Sequence, residues 1–308
     1  MSRVAIITRT IDRPVLLERT LQSILGQTCQ DWHWVIVDGG NTEAVPHLLQ
    51  THGERIQGRV THLRFANPKP GMRGVPINAG IQASQTEFIT LLDDDDTWDP
   101  YYLQAMVRAM DTRPHPSVRG AVCRTLCIHE SSVEQGLKPQ RSYELNPKLS
   151  NLTLPQLAVV NCFCTHAFLY DRSALDAVGM YPEDYPVLED WHFNLRFLLH
   201  HEILVVPQTL THYHFRPPEA HGLQANSQTA ERDDHKFHEA RLINEALRED
   251  LRTGRMGLGH VLAQAALARQ LSTTLHSHES RMKAIGDKTG KIDTRTKELK
   301  DKLLDKRG

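Results

Sequence analysis

The chain has 308 residues, 40% of them apolar, enough for one large catalytic domain and an appendage. Its 36 Lys and Arg nearly cancel its 37 Asp and Glu, which removes the overall basic field that nucleic-acid binders use. No run approaches the roughly 20 apolar residues of a membrane-spanning helix. Met1 to Ile7 turns strand-like at once, without a signal-peptide layout. These features predict a cytoplasmic protein, or one peripheral at the inner face of a membrane.

In the first two-thirds, β-branched runs alternate with helix-period segments. Val4–Ile7 reads as a strand and Pro14–Gly26 as a helix, with Leu17, Leu21, Ile24 and Leu25 on one face and Gly26 as its stop. Trp34–Val37 is the next strand and ends in Asp38-Gly39-Gly40, Val60–Phe65 is a third, and Asn78–Ser84 is a short helix. Phe88–Leu92, a continuous apolar run, is a fourth strand, as expected in a sheet covered on both faces. Strand–helix–strand repetition implies right-handed crossovers and a mostly parallel sheet. Asp99 and Pro100 read as the N-cap and first residue of a helix through Met110. Val118–Ile128 and Phe163–Tyr170 are further strands, and the polar, proline-broken Glu130–Pro155 between them is a loop excursion suited to substrate contacts. Glu189–His200 is a helix, followed by strand-like Ile203–Val206 and Thr209–Phe215.

The five cysteines are Cys29, Cys123, Cys127, Cys162 and Cys164, an odd count that favours free thiols. C-x3-C and C-x-C spacings allow a zinc site. Both pairs, however, lie in strand-like apolar segments, where cysteine usually serves as a small core residue. Beyond Asp233 the pattern becomes helical and charged. Leu271, Leu275, His278, Met282, Ile285, Thr289, Ile292, Thr296, Leu299 and Leu303 follow alternating four- and three-residue steps, a heptad seam. It predicts a coiled coil that makes the protein a homo-oligomer or docks it to a partner; Gly286 and Gly290 weaken its helix propensity.

The strongest chemical signal is Asp93-Asp94-Asp95-Asp96, directly after the fourth strand. Four adjacent carboxylates repel one another, so an ordered cluster needs a counter-charge. Alternation along extended chain sets Asp93 and Asp95 on one side and Asp94 on the other. Two carboxylates on one side make a hard oxygen site for Mn2+ or Mg2+, with positions left for water and substrate phosphate. Helix capping by Asp96 or Asp99 explains one or two of these acids but not four. Asp93-x-Asp95-x-Thr97 also fits the motif of haloacid-dehalogenase-type phosphohydrolases, with Asp93 as nucleophile. That family normally carries the motif on its first strand, whereas several strand–helix units come before it here.

The order of motifs resembles an inverting family 2 glycosyltransferase of the GT-A fold. Val4-Ala5-Ile6-Ile7-Thr8-Arg9-Thr10, Arg13-Pro14 and Leu21–Thr28 resemble its first strand and helix. Trp34–Gly40 resembles its second strand, which usually ends D-D-G-S and here lacks one Asp. Gly71-Met72-Arg73-Gly74 with Asn78-Ala79-Gly80-Ile81 resembles its G-x-R-G…N-x-G-I stretch, and Val187-Leu188-Glu189-Asp190-Trp191 its later E-D motif. The likeness covers roughly residues 2–216. It implies an α/β GT-A domain, Rossmann-like, with a mostly parallel mixed sheet and helices on both faces, over residues 1–230. A helical linker at 231–260 and a helical, coiled-coil extension at 261–308 complete the expected organisation.

The resemblance also implies roles. Thr8 and Arg9 lie at the nucleotide edge, Asp38 accepts from base or ribose, and Asp93 and Asp94 face the nucleotide sugar. Arg73 offsets phosphate charge, and Asn78 lines the pocket or caps a helix. Asp95 binds the metal, with Asp96 assisting and a late histidine contacting metal or diphosphate: His214 first, His212 next, His221 third. Asp190 is the general base, with Glu189 orienting it or the acceptor; their other reading is negative charge at a helix N-terminus. The implied activity moves a sugar from a nucleoside-diphosphate donor to a glycan, lipid-linked or protein hydroxyl, in bacterial surface polysaccharide, lipopolysaccharide or glycoprotein synthesis. The rivals are the phosphohydrolase and a non-catalytic assembly protein whose helical tail is the functional part.

Overall fold

The computed structural model describes residues 2–56, 58–133, 136–216 and 232–304. The chain divides into two units, Met1–Ala240 and Arg241–Gly308. The first is built on one nine-stranded sheet. Its leading half is parallel: β1 (Val4–Thr10) lies between β2 (Trp32–Asp38) and β4 (Phe88–Leu91), and β3 (Val60–Arg64) pairs with β2. Then β8 (Phe168–Asp171) runs antiparallel between β4 and β6 (Val118–Val133). The sheet continues through β9 (Glu202–Phe215), parallel to β6, and closes with the two-residue β5 (Thr97–Trp98).

The helix α1 (Pro14–Leu25) starts with its proline in the first turn, and the N–H of Gly26 closes on Gln22 O. Leu17, Leu21 and Ile24 are fully buried, in one core with Val4, Ile6, Trp32, Trp34 and Phe88. Short helices α2 (Ala44–Thr51) and α3 (Gly53–Ile56), which the apolar periodicity did not announce, follow β2. Next, α4 (Gly74–Gln82) begins four residues before its expected start. A Cβ on Gly80 would lie 2.5 Å from Ile7 Cγ2, so glycine allows this helix to press onto β1.

Several expectations need correction. α5 (Tyr102–Asp111) starts at Tyr102, and Asp99 does not cap it. Instead Asp99 Oδ1 accepts from Tyr101 N–H and its carbonyl from Tyr102 N–H, a local turn that competes with capping. The expected loop Glu130–Pro155 is strand over its first half. β6 continues to Val133, and β7 (Gly136–Glu144) pairs back along it, with a bulge at His129/Glu130. β7 is an edge strand with most of its side chains in water, so it lacks the alternation that marks strands. A 3-10 turn, Thr165–Ala167, replaces the first part of the expected strand from Phe163. Ile203–Val206 and Thr209–Phe215 join in one strand whose register slips opposite Cys123–Thr125.

Two more short helices, α6 (Leu154–Val159) and α7 (Leu175–Val178), lead to α8 (Glu189–His200) at its expected boundaries. Two helices occupy the C-terminal part of the chain, α9 (Arg232–Arg252) and α10 (Leu258–Leu304). On α10, Leu271, Leu275, Met282 and Ile285 of the heptad seam are exposed. Among the described residues no helix is long and apolar enough to cross a membrane.

Candidate active site

The four aspartates leave β4 through a turn, closed by Asp96 N–H donating to Asp93 O at 3.2 Å. The turn cancels the expected alternation. Asp93 pairs with Arg9, whereas Asp94 and Asp95 both lie against Arg13. Each acid has its own counter-charge. Arg9 Nε lies 3.2 Å from Asp93 Oδ1, and Arg13 Nη1 lies 2.7 Å from Asp94 Oδ1. The fully buried Arg216 holds Asp95 Oδ2, and His166 Nδ1 lies 3.0 Å from Asp96 Oδ2. The sequence required counter-charges without naming them. Arg216, His166 and the buried Glu130 were not named at the aspartates, because each arrives from a distant part of the chain, and Arg13 was legible only as part of the first-helix motif.

Glu130 joins these groups beneath the turn. It accepts from Arg19 Nη1 at 2.6 Å, lies 3.4 Å from Arg216 Nη1, and faces His214 Nδ1 at 2.8 Å. Burial would raise its carboxyl, but His214 and Arg19 pull it below the ordinary value, so it stays ionised. A carboxylate only accepts, so His214 Nδ1 donates, leaving Nε2 to face the Thr97 hydroxyl at 2.9 Å. Both ring nitrogens of His214 are therefore engaged. His212 Nδ1 lies 3.3 Å from the same hydroxyl, and both Asp96 oxygens are taken, by His166 and by His214 N–H. His221 lies outside the described residues.

The environments of the acids differ. Burial and the neighbouring Asp95 push the Asp94 carboxyl up to about 7, against Arg13 and the Thr10 hydroxyl. Burial and Asp96 also raise Asp95. Burial acts on Asp96 in the same direction, yet His166 outweighs it and the net shift is downward.

At the other wall, α8 begins with Glu189 and Asp190 in its first turn, behind Leu188 in the left-handed region at φ 65°. A non-glycine residue there stores on the order of 1 kcal/mol of strain, which the surrounding packing must hold. Glu189 is buried and accepts from Arg9 Nη1 at 3.0 Å; burial pushes its carboxyl up while Arg9 opposes the shift. Arg73 also acts electrostatically on Glu189. Asp190 Oδ2 accepts from Asn161 Nδ2 and Thr165 Oγ1, both at 2.9 Å. Arg9 thus ties the aspartate turn to the start of α8, and the Thr165-His166 pair ties Asp190 to Asp96.

Three residues expected at the nucleotide are held by the fold. Thr8 is fully buried and its hydroxyl accepts from Trp34 Nε1 at 2.8 Å. Asn78 sits inside α4, not at its cap, and locks the Tyr181 backbone with bonds of 2.9 and 3.0 Å. Asp38, at the β2 terminus, receives His62 Nε2 at 2.9 Å and Arg64 Nη1 at 3.2 Å.

Asp93 and Asp95 each keep one carboxylate oxygen with no hydrogen-bond partner among the described residues. Among those residues no three His, Cys, Asp or Glu side chains converge on a point that could hold a metal ion, and all five cysteines are free. Divalent magnesium-type ions need only one or two carboxylates when phosphate supplies further oxygens, so the donor set fits such an ion bound together with a diphosphate.

The family model described as Glycosyl transferase family 2 matches residues 5–179. The chain belongs to this family. Membership decides against the phosphohydrolase reading of the aspartate run. An uncharacterised glycosyltransferase of Nostoc sp. is 27% identical over 57% of this chain and 53% of its own, so the chain spans about half the length of that relative. A PGL/p-HBAD biosynthesis glycosyltransferase of Mycobacterium bovis is 25% identical over 62% of this chain and 68% of its own. A Campylobacter jejuni GalNAc(5)-diNAcBac-PP-undecaprenol beta-1,3-glucosyltransferase is 30% identical, over 31% of this chain and 30% of its own. Among solved structures, S. aureus TarS 1-349 in complex with UDP-GlcNAc superposes with a TM-score of 0.53 at 16% identity, covering 81% of this glycosyltransferase and 73% of TarS 1-349. The Pyrobaculum calidifontis mannosyltransferase in complex with GDP-Man and Mn2+ gives 0.52 at 15% identity, covering 86% and 80%. The fold is thus of the GT-A type, with its mixed sheet and C-terminal helices.

Proposed function

We propose that this family 2 glycosyltransferase transfers a sugar, with inversion, from a nucleoside-diphosphate donor to a hydroxyl acceptor in bacterial surface-glycan synthesis, with Asp190 as general base. The observation that carries the reading is Arg9, which bonds Asp93 on one wall and Glu189 on the other. Direct displacement requires a base on the acceptor side and charge stabilisation on the leaving-group side of one cleft. Relatives and neighbours named for UDP-GlcNAc, GDP-Man and an undecaprenol-linked acceptor support the donor class and a glycan or lipid-linked acceptor.

In this reading Asn161 and Thr165 donate to one oxygen of Asp190 and aim the carboxylate to take the proton of the acceptor hydroxyl as the new bond forms. Arg9 bonds the buried Glu189 beside it and opposes the upward push of burial on that carboxyl. Asp93 faces the nucleotide sugar, and Arg73 offsets phosphate charge. Asp95 would hold Mn2+ or Mg2+, which supplies Lewis-acid stabilisation of the departing diphosphate. His214, His212 and Asp96 brace that turn and stay off the ion. Residues 1–230 form the catalytic domain, 231–260 a helical linker, and 261–308 an extension that self-associates or docks a partner.

A thermal-shift panel of UDP, GDP, CDP and dTDP sugars, with and without Mn2+, tests the reading. One nucleotide should raise the melting temperature, and more so with the ion. Absence of any shift across the panel would overturn the donor assignment.

A further inference from the structure

The carboxylate proposed to hold the ion has its charge shared already. Asp95 Oδ2 accepts from Arg216 Nη2 and lies 3.4 Å from Arg13 Nη2, while Oδ1 has no hydrogen-bond partner among the described residues. Arg216 is fully buried and follows directly on β9, whose last residue, Phe215, pairs with His129. Its Nη1 lies 3.4 Å from Oε2 of Glu130, the residue next to His129. The sheet register therefore sets the guanidinium between two carboxylates. Glu130 has nearer partners in Arg19 at 2.6 Å and His214 at 2.8 Å, so the weight of Arg216 falls on Asp95. Burial and Asp96 push the Asp95 carboxyl up, and Arg216 opposes them ahead of Arg13.

A divalent ion is drawn to a carboxylate by charge, and a guanidinium on the same group offsets that attraction and repels the ion. The opposition is strongest where burial keeps salt and water from screening it. An ion that carries a diphosphate brings negative charge of its own and needs only one or two carboxylates. We propose that Arg216 is a resident counter-cation of the ion site, which competes with a free divalent ion for Asp95 and favours the ion that arrives with a diphosphate. The inference rests on Asp95 being the ion ligand. It makes Arg216 a positioning residue that acts on the ion through Asp95. A guanidinium that served only to hold Asp95 in place would have the opposite effect, since its loss would weaken ion binding.

The test is to titrate the full chain with Mn2+ alone and follow the free-ion signal by electron paramagnetic resonance. Arg216→Met removes the charge and should tighten Mn2+ binding at least about tenfold. Arg216→Lys keeps the charge and should stay within about threefold of the wild type. Adding Asp95→Asn to Arg216→Met should abolish the gain, which assigns it to this carboxylate. Arg13→Met, which frees the same oxygen of its second cation, should also tighten Mn2+ and serves as the reading where circular dichroism shows Arg216→Met unfolded. By calorimetry, Mn2+ should improve binding of the nucleotide that raises the melting temperature more in the wild type than in the Met variant. Unchanged or weaker Mn2+ binding in whichever Met variant folds, equal tightening in Arg216→Lys, a gain that survives Asp95→Asn, or equal improvement of nucleotide binding overturns the proposal. A wild-type chain whose nucleotide-induced thermal shift is the same with and without Mn2+ sinks the ion assignment itself, so the two failures are distinguishable.

Discussion

Asp190 is held by three donors, Asn161 Nδ2, Thr165 Oγ1 and the Trp191 N–H, and this restraint suits a group that must meet a substrate proton at a set angle. Asp190→Asn should lower kcat by about 10²- to 10⁴-fold and leave the donor KM near its wild-type value. Steady-state kinetics at varied donor concentration checks this; unchanged turnover would remove Asp190 from the role of base, and a wild-type chain without turnover would favour an inert domain whose tail is the functional part. Asp94 gives a pH prediction. Its folded pKa of about 7 lies above the ordinary 3.8, so the folded state binds this proton more tightly than the unfolded chain. The contribution to stability is therefore complete below about pH 4 and is lost as pH rises to about 7. In Asp94→Asn the melting temperature should fall less between pH 5 and 7.5 than in the wild type, measured by calorimetry; equal slopes would contradict the assignment. At this scale the acids were legible in the sequence. Their partners were not, because a polar residue such as Thr8 looks the same in sequence whether or not a neighbouring indole takes its hydroxyl.

Elements were legible where periodicity reports burial. The helix at Glu189–His200 and the strands β1, β2 and β4 are of this kind, since buried positions leave an apolar pattern. β7 left none because its side chains face water, and α5 starts late because Asp99 satisfies the nearest N–H groups in a turn of its own. Close approach between elements was equally silent. A Cβ on Gly74, the first residue of α4, would stand 2.0 Å from the Pro182 carbonyl oxygen, a backbone atom that cannot swing away. Gly74→Ala should cost about 1–3 kcal/mol and lower the melting temperature by several degrees. Gly53→Ala, with nothing within 4 Å, is the control and should stay within about 0.5 kcal/mol. Equal melting temperatures for the two variants would show that α4 yields more than this packing allows.

For the whole molecule, the exposed stripe on α10 is the open surface with a stated partner. Leu271, Leu275, Met282 and Ile285 are all more than half exposed, and a long helix with an a/d seam gains most by covering it with another helix. If the stripe self-associates, Leu275→Asp/Met282→Asp should turn the oligomer into a monomer in sedimentation velocity while the nucleotide-induced thermal shift is retained. A wild-type chain that already sediments as a monomer would contradict self-association.

What the chain order alone determined was the family: motifs written in consecutive residues, each carried by one strand end or one helix start, identify themselves without a fold. What only the tertiary structure decided was how four adjacent negative charges coexist. Arg13 and Asp94 are 81 positions apart, Arg19 and Glu130 are 111, and Arg216 and Asp95 are 121. Pairing at such separations leaves no periodic trace along the chain, because Coulomb attraction depends on distance in space, and that distance is set by the sheet order.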